Sequence, residues 1–151
     1  MSHFVIFMRL LLSVVFSSII GFERERKGRA AGLRTHVLVC MGSCLVMLVS
    51  LHIYDLYKDV LNLDPARIAA GVITGIGFLG AGTIIRSTHQ VKGLTTAASI
   101  WVSAGIGLGV GCGYYFASFL VSVFSLVILL FFRKFERMID YNKELDQDEN
   151  S

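Results

Sequence analysis

Five predominantly apolar stretches constrain this chain more than any other feature. They run Phe4 to Gly21, His36 to Tyr54, Ala66 to Ile85, Thr95 to about Gly111, and Tyr114 to Phe132. A helix that crosses a bilayer takes roughly 20 residues, so five use about 100 positions and leave no room for a second folded domain. Of the 151 residues, 54% are hydrophobic and 17% charged, against about a quarter charged in an ordinary soluble domain. A water-soluble enzyme is thereby excluded. The expected fold is an all-α integral membrane protein, a bundle of five transmembrane helices over residues 1–135 with a short polar tail at 136–151.

The basic residues orient the bundle. Five fall between the first two stretches (Arg24, Arg26, Lys27, Arg29, Arg34), one in the next connection (Lys58), two in the third (Arg86, Lys92) and none in the fourth. Arg133, Lys134, Arg137 and Lys143 follow the last stretch. Alternate segments are thus basic, which by the positive-inside rule predicts the N-terminus outside and the tail in the cytoplasm. The net charge of +3 is a topology signal of this kind, and no nucleic-acid partner is expected. A cleaved signal peptide would carry its positive charge ahead of the apolar run; here the dense charge Glu23-Arg24-Glu25-Arg26-Lys27 comes after it. Arg9 and Arg67 lie just inside the first and third stretches, where long side chains can snorkel to the headgroups.

Of the 15 glycines, the third and fourth stretches concentrate most, in Gly71-Val-Ile-Thr-Gly75-Ile-Gly77-Phe-Leu-Gly80-Ala81-Gly82 and Gly105-Ile-Gly107-Leu-Gly109-Val-Gly111-Cys-Gly113. Small residues four apart let helix backbones approach in lipid. Gly71, Gly75, Gly77, Gly80, Gly82, Gly105 and Gly109 are the expected packing glycines, and the third and fourth helices the expected packed centre. Gly75 to Gly80 also matches the dinucleotide-binding pattern Gly-x-Gly-x-x-Gly, but that motif needs a preceding strand and an acidic residue about 20 positions on, where Ile100-Trp101 stands. The rival functional reading is a broken helix whose carbonyls meet an ion. No Asp, Glu, Lys or Arg occurs from Ile68 to Ile85 or from Gly93 to Phe132. Coupled transporters place ionisable residues at membrane depth, so active transport is disfavoured, while a passive pore built by several copies is not.

No cofactor or resident metal is expected. His36, Cys40 and Cys44 share a helix face but spread over about 12 Å at ~1.5 Å per residue, too far for one ion to reach all three. The cysteines (Cys40, Cys44, Cys112) lie in or beside apolar runs, and no disulfide framework is implied. His3, His52 and His89 fall near helix ends or loops, and no nucleophile, base and carboxylate converge at depth.

Four segments carry a family resemblance: Gly21-Phe-Glu23-Arg24-Glu25 with Ala31-Gly32-Leu33-Arg34-Thr35; Asp64-Pro65-Ala-Arg67-Ile68-Ala69-Ala70; Gly75 to Gly82; and Val91-Lys-Gly93-Leu94-Thr95-Thr96-Ala97-Ala98-Ser99-Ile100-Trp101. In this order they resemble the MgtC/SapB membrane proteins. The resemblance implies a non-enzymatic, multi-pass bacterial inner-membrane protein with a cytoplasmic C-terminus. It further implies a role in adaptation to magnesium limitation or acid stress, in virulent members survival in macrophages, and regulation of another membrane complex such as ATP synthase. A magnesium-linked transporter is the alternative. Virulence members carry a C-terminal ACT-like domain, expected to be lacking here, and some have Asn where Thr95 stands.

The lipid bilayer, a second membrane complex and further copies of the chain are the expected partners. The expected functional residues form two charged rims, Glu23, Arg24 and Arg34 on the basic side and Asp64 and Arg67 opposite. The loop–helix junction at Thr95 and Thr96 joins them as a candidate. Glu23 and Glu25 exceed what a positive-inside anchor needs, which points to ion pairs or recognition. Asp64 and Arg67, three apart at a helix start, are placed to pair.

Overall fold

The computed structural model describes the backbone of residues 1–60, 62–88 and 90–148, and side chains within these as far as residue 132. His89 and the last three positions of the expected tail lie outside the described residues, as do the side chains of Arg133, Lys134, Arg137 and Lys143. Five helices follow one another: α1 (His3–Arg26), α2 (Leu33–Tyr57), α3 (Ala66–Ala81), α4 (Leu94–Cys112) and α5 (Tyr115–Asp148). The two-residue strands β1 (Ile85–Arg86) and β2 (Val91–Lys92) pair antiparallel between α3 and α4, Ile85 opposite Lys92 and Arg86 opposite Val91.

Four helices are long and apolar enough to cross a membrane: α1, α2, α4 and the Tyr115–Phe132 part of α5. With 16 residues, α3 reaches about 24 Å at ~1.5 Å per residue, short of the roughly 30 Å hydrocarbon core. Its expected end at Ile85 is corrected. Thr83 N–H bonds Gly80 O and Ile84 N–H bonds Ala81 O, both at 3.0 Å, tightening the last turn so that the chain leaves the helix and Ile85 enters the hairpin. At the other boundary α1 continues through Arg26, so Glu23 and Arg24 are helical residues rather than loop residues.

Many of the fully buried side chains are small, packed among Ile20, Ile106 and Val110. Ser13, Ser17, Cys40, Cys44, Ser103, Ala104 and Ser122 are fully buried, while Phe4, Phe7, Phe116 and Phe124 face outward. Lipid tails are as apolar as leucine, so burying large apolar groups between helices gains little and close backbone approach dominates. Several buried serines bond carbonyls one turn back in their own helices, as Ser17 to Ser13 O (2.7 Å), Ser43 to Val39 O (2.8 Å) and Ser122 to Ser118 O (2.8 Å), whereas Ser50 donates to Pro65 O and Ser103 Oγ has no partner among the described residues.

The packed centre is α2 against α4, a correction to the expected pairing of the third and fourth helices. A Cβ on Gly107 would fall on the Cys40 carbonyl, and one on Gly111 would lie 2.7 Å from Met47 Cβ and 2.8 Å from Cys44 O. Among the described residues nothing beyond the helix's own backbone lies within 4 Å of a Cβ built on Gly71, Gly75, Gly77 or Gly105. A Cβ on Gly82 would meet only the carbonyls of Leu79 and Phe78, on Gly80 it would touch Ala97, and on Gly109 it would meet Ser118 Oγ. Two stripes run along α4 two residues apart, about 200° around a helix of ~3.6 residues per turn. The Gly107/Gly111 stripe meets α2 because Cys40, Ser43 and Cys44 there are themselves small. On α3 only Ile76 and Gly80 are buried, which leaves that helix at the periphery.

Candidate functional site

The amino end of α4 forms one wall of a polar cavity, and the way α1 stops forms another. Lys27 to Arg29 end α1 in a Schellman turn, with Gly28 N–H on Glu25 O (2.9 Å) and Arg29 N–H on Arg24 O (3.0 Å). The turn requires the left-handed backbone of Gly28, at φ 61°. It brings Arg29 back over the last helical turn. Glu25 reaches across to accept the Leu33 N–H at 2.8 Å, capping α2 from the neighbouring helix. The second acidic residue thus has a structural task.

Glu23 and Arg24 are buried, at 7% and 5% exposure. Arg24 Nη2 donates to Thr96 Oγ1 at 3.0 Å, and Arg24 Nη1 stands 4.0 Å from Glu23 Oε2. Behind Thr96, Ser99 Oγ donates to Thr96 O (2.9 Å) and lies 3.0 Å from His36 Nε2, while His36 Nδ1 lies 2.7 Å from Gly32 O. A carbonyl only accepts, so Nδ1 carries a proton; both ring nitrogens are engaged, and His36 joins α2 to α4. Among the described residues no group of three His, Cys, Asp or Glu is placed to hold a metal ion.

Gly93 precedes α4 with φ 94° and passes so close to Thr83 O that a Cβ would overlap it. The first bond of the helix is Ala97 N–H to Gly93 O at 2.9 Å, and among the described residues no side chain caps the start. The N–H groups of Leu94, Thr95 and Thr96 therefore have no acceptor within the helix. They add partial positive charge to a cavity of about 320 Å³ lined by Glu23, Arg24, Arg29, Gly93, Thr95 and Thr96, with Ile128, Leu129 and Phe132 of α5 completing the wall.

The structure gathers only part of the expected rims. Glu23, Arg24, Thr95 and Thr96 come together; Arg34 is exposed and does not line the cavity. On the opposite side Asp64 Oδ1 accepts the Ala66 N–H at 2.9 Å and caps α3, and among the described residues no ion pair joins it to Arg67, which is exposed. Arg9 does not snorkel outward but binds Gly111 O at the carboxyl end of α4 and Tyr115 Oη at the start of α5. Arg29 and Ser99 are not among the expected site residues, and His36, weighed in the sequence only as a metal ligand, instead bonds Ser99 and Gly32. Their signal was the i, i+3 repeat of Thr96 and Ser99, together with a histidine one turn inside a helix that starts at a charged loop.

The chain is 45% identical over 141 residues to YhiD of Escherichia coli K12, 35% over 148 residues to SapB of Bacillus subtilis, and 44% over 108 residues to MgtC of Salmonella typhimurium. These alignments cover 91%, 95% and 72% of this chain, but 66%, 63% and 44% of the relatives' own lengths. No solved structure matches the chain. The family model described as the MgtC family matches residues 10–138, and the chain belongs to that family.

Proposed function

We propose that the chain is a non-enzymatic protein of the bacterial inner membrane, with its charged face in the cytoplasm, and that it regulates another membrane complex through helix contacts during magnesium limitation or acid stress. ATP synthase is the complex the family resemblance suggests. The observation that carries the reading is where charge is buried. The buried ion pair, Glu23 with Arg24, sits at one end of the bundle, and α3 and α4 contain no ionisable residue along their lengths after Arg67, apart from the terminal Cys112. A relay that moves protons or cations across the bilayer needs such groups at depth. A regulator that works by packing does not.

The second reading, magnesium-linked transport, is favoured by the name of the YhiD relative, which carries a provisional magnesium-transport assignment. Against it, Mg²⁺ requires several oxygen ligands, whereas Glu23 shares its cavity with Arg24 and Arg29. Purification from native membranes under magnesium starvation tests the first reading. A second membrane complex recovered with the chain is expected, and the chain recovered alone contradicts it. Magnesium flux in vesicles holding the purified chain would establish the second. Glu23→Ala is expected to abolish growth support at low magnesium while leaving membrane insertion intact.

A further inference from the structure

Of the described histidines, His3 and His52 are exposed and His36 alone is fully buried. The backbone of α1 runs close against it: a Cβ on Gly21 would stand 3.2 Å from His36 Cβ. The ring spans the seam between α2 and α4, with Nδ1 2.7 Å from Gly32 O and Nε2 3.0 Å from Ser99 Oγ. Because Gly32 O only accepts, Nδ1 keeps its proton in either charge state, and Nε2 is the atom that gains or loses one. Ser99 has a single hydroxyl proton for two neighbours, Nε2 and, at 2.9 Å, Thr96 O. With the ring neutral, only that proton can join Ser99 to Nε2, and Thr96 O keeps just its helical partner, the Ile100 N–H. With Nε2 protonated, the ring donates to Ser99 Oγ, whose own proton turns to Thr96 O. One proton taken up from solvent thus reverses one hydrogen bond and makes a second.

We infer that His36 is a proton-operated switch in this seam, and that Ser99 passes its state to the amino end of α4. Thr96 is where the signal arrives. Its carbonyl takes the Ser99 proton, while its Oγ1 accepts from Arg24 Nη2 at 3.0 Å and the residue lines the cavity. Among the charged or titratable groups on the elements around the ring, α1 brings Arg24, whose charge acts on the imidazole, with Glu23 beside it and Glu25 at the Leu33 N–H. On α2, Arg34 is exposed and Cys40 lies one turn beyond the ring. No ionisable side chain occurs in α3 after Arg67, in α4 before Cys112, or among the described side chains of α5 after Tyr115. Among the described residues of the seam, the imidazole is thus the only group whose ordinary titration falls between about pH 5 and 8. The inference stands whichever complex the protein regulates, and whether or not it serves in acid stress.

Heteronuclear NMR of the full chain in phospholipid nanodiscs, labelled in the histidine rings and along the backbone, reads both ends of the link. At about pH 8 the His36 ring should be the neutral Nδ1–H form, and acidification to about pH 5 should protonate Nε2 while Nδ1 stays protonated. The Ile100 amide signal should shift in step with the ring and with the same midpoint, as Thr96 O takes on its second donor. In Ser99→Ala the ring should still titrate while the Ile100 shift is all but lost, and in His36→Gln the Ile100 signal should stay put. A ring that holds one charge state across this range in the folded chain would overturn the inference. So would a neutral ring protonated at Nε2, an Ile100 signal that ignores the ring in the unaltered chain, or one that still follows it in Ser99→Ala. If Ser99→Ala does not fold, the unaltered chain decides alone: ring and Ile100 midpoints that differ overturn the assignment.

Discussion

Arginine occupies both ends of α4, and the two ends are built differently. At the carboxyl end Arg9 Nη1 bonds Gly111 O, Nε bonds Tyr115 Oη at 3.0 Å, and the guanidinium lies 6.0 Å from the Tyr115 ring centre. A cation at a helix carboxyl end is electrostatically favourable, and this one is closed by groups of the protein itself. At the amino end Arg24 and Arg29 face partial positive charge across a cavity that stays open. The same residue type is therefore closed in by the bundle at one end and lines an open cavity at the other. Arg24 also lies in the last turn of α1, whose negative end offsets part of the mismatch.

The comparison requires α4 to hold its two ends in fixed register against α2, so the largest effect should come from breaking that seam. Gly107→Leu would force a side chain into the Cys40 carbonyl and is expected to cost more than about 3 kcal/mol. Gly105→Leu, on the open face, should be nearly neutral; denaturation in mixed micelles compares the two directly. At the closed end, Arg9→Ala should cost about 1.5–3 kcal/mol in the same assay, the range for hydrogen bonds made by a charged group. Next is Gly28→Ala, which has space around it but must hold φ 61°; it should cost about 1 kcal/mol. Smallest is Arg29→Gln, at an exposed position, expected to change stability by less than about 0.5 kcal/mol.

The sequence made the helices legible because a run of roughly 20 apolar residues has few alternatives in lipid. The sites of helix contact were less legible. Gly105, Gly107, Gly109, Gly111 and Gly113 present two interleaved small-residue stripes, and only the identity of the facing helix decides which one packs. For the same reason Gly71, Gly75 and Gly77 read as an interface although nothing among the described residues covers them. Of the candidate site, Glu23, Arg24, Thr95 and Thr96 could be found as charged or polar residues at the mouths of spans. Arg34 and Arg67 looked equivalent in sequence, but whether a basic residue turns into the bundle depends on helix phase and on where the preceding helix stops. That α1 runs on to Arg26 and closes on Gly28 is what buries Glu23 and recruits Arg29. Asp64 is the reverse case: its capping role was legible from Asp-Pro alone, and its pairing with Arg67 did not form.

The central claim, that α4 is held in register against α2 by the stripe of Gly107 and Gly111, is tested most directly by the unfolding free energy of the purified chain in mixed micelles. Gly107→Leu should lose more than about 3 kcal/mol, whereas Gly105→Leu should lose little or none. An equal loss in both would contradict the account, since the two faces of α4 would then pack alike.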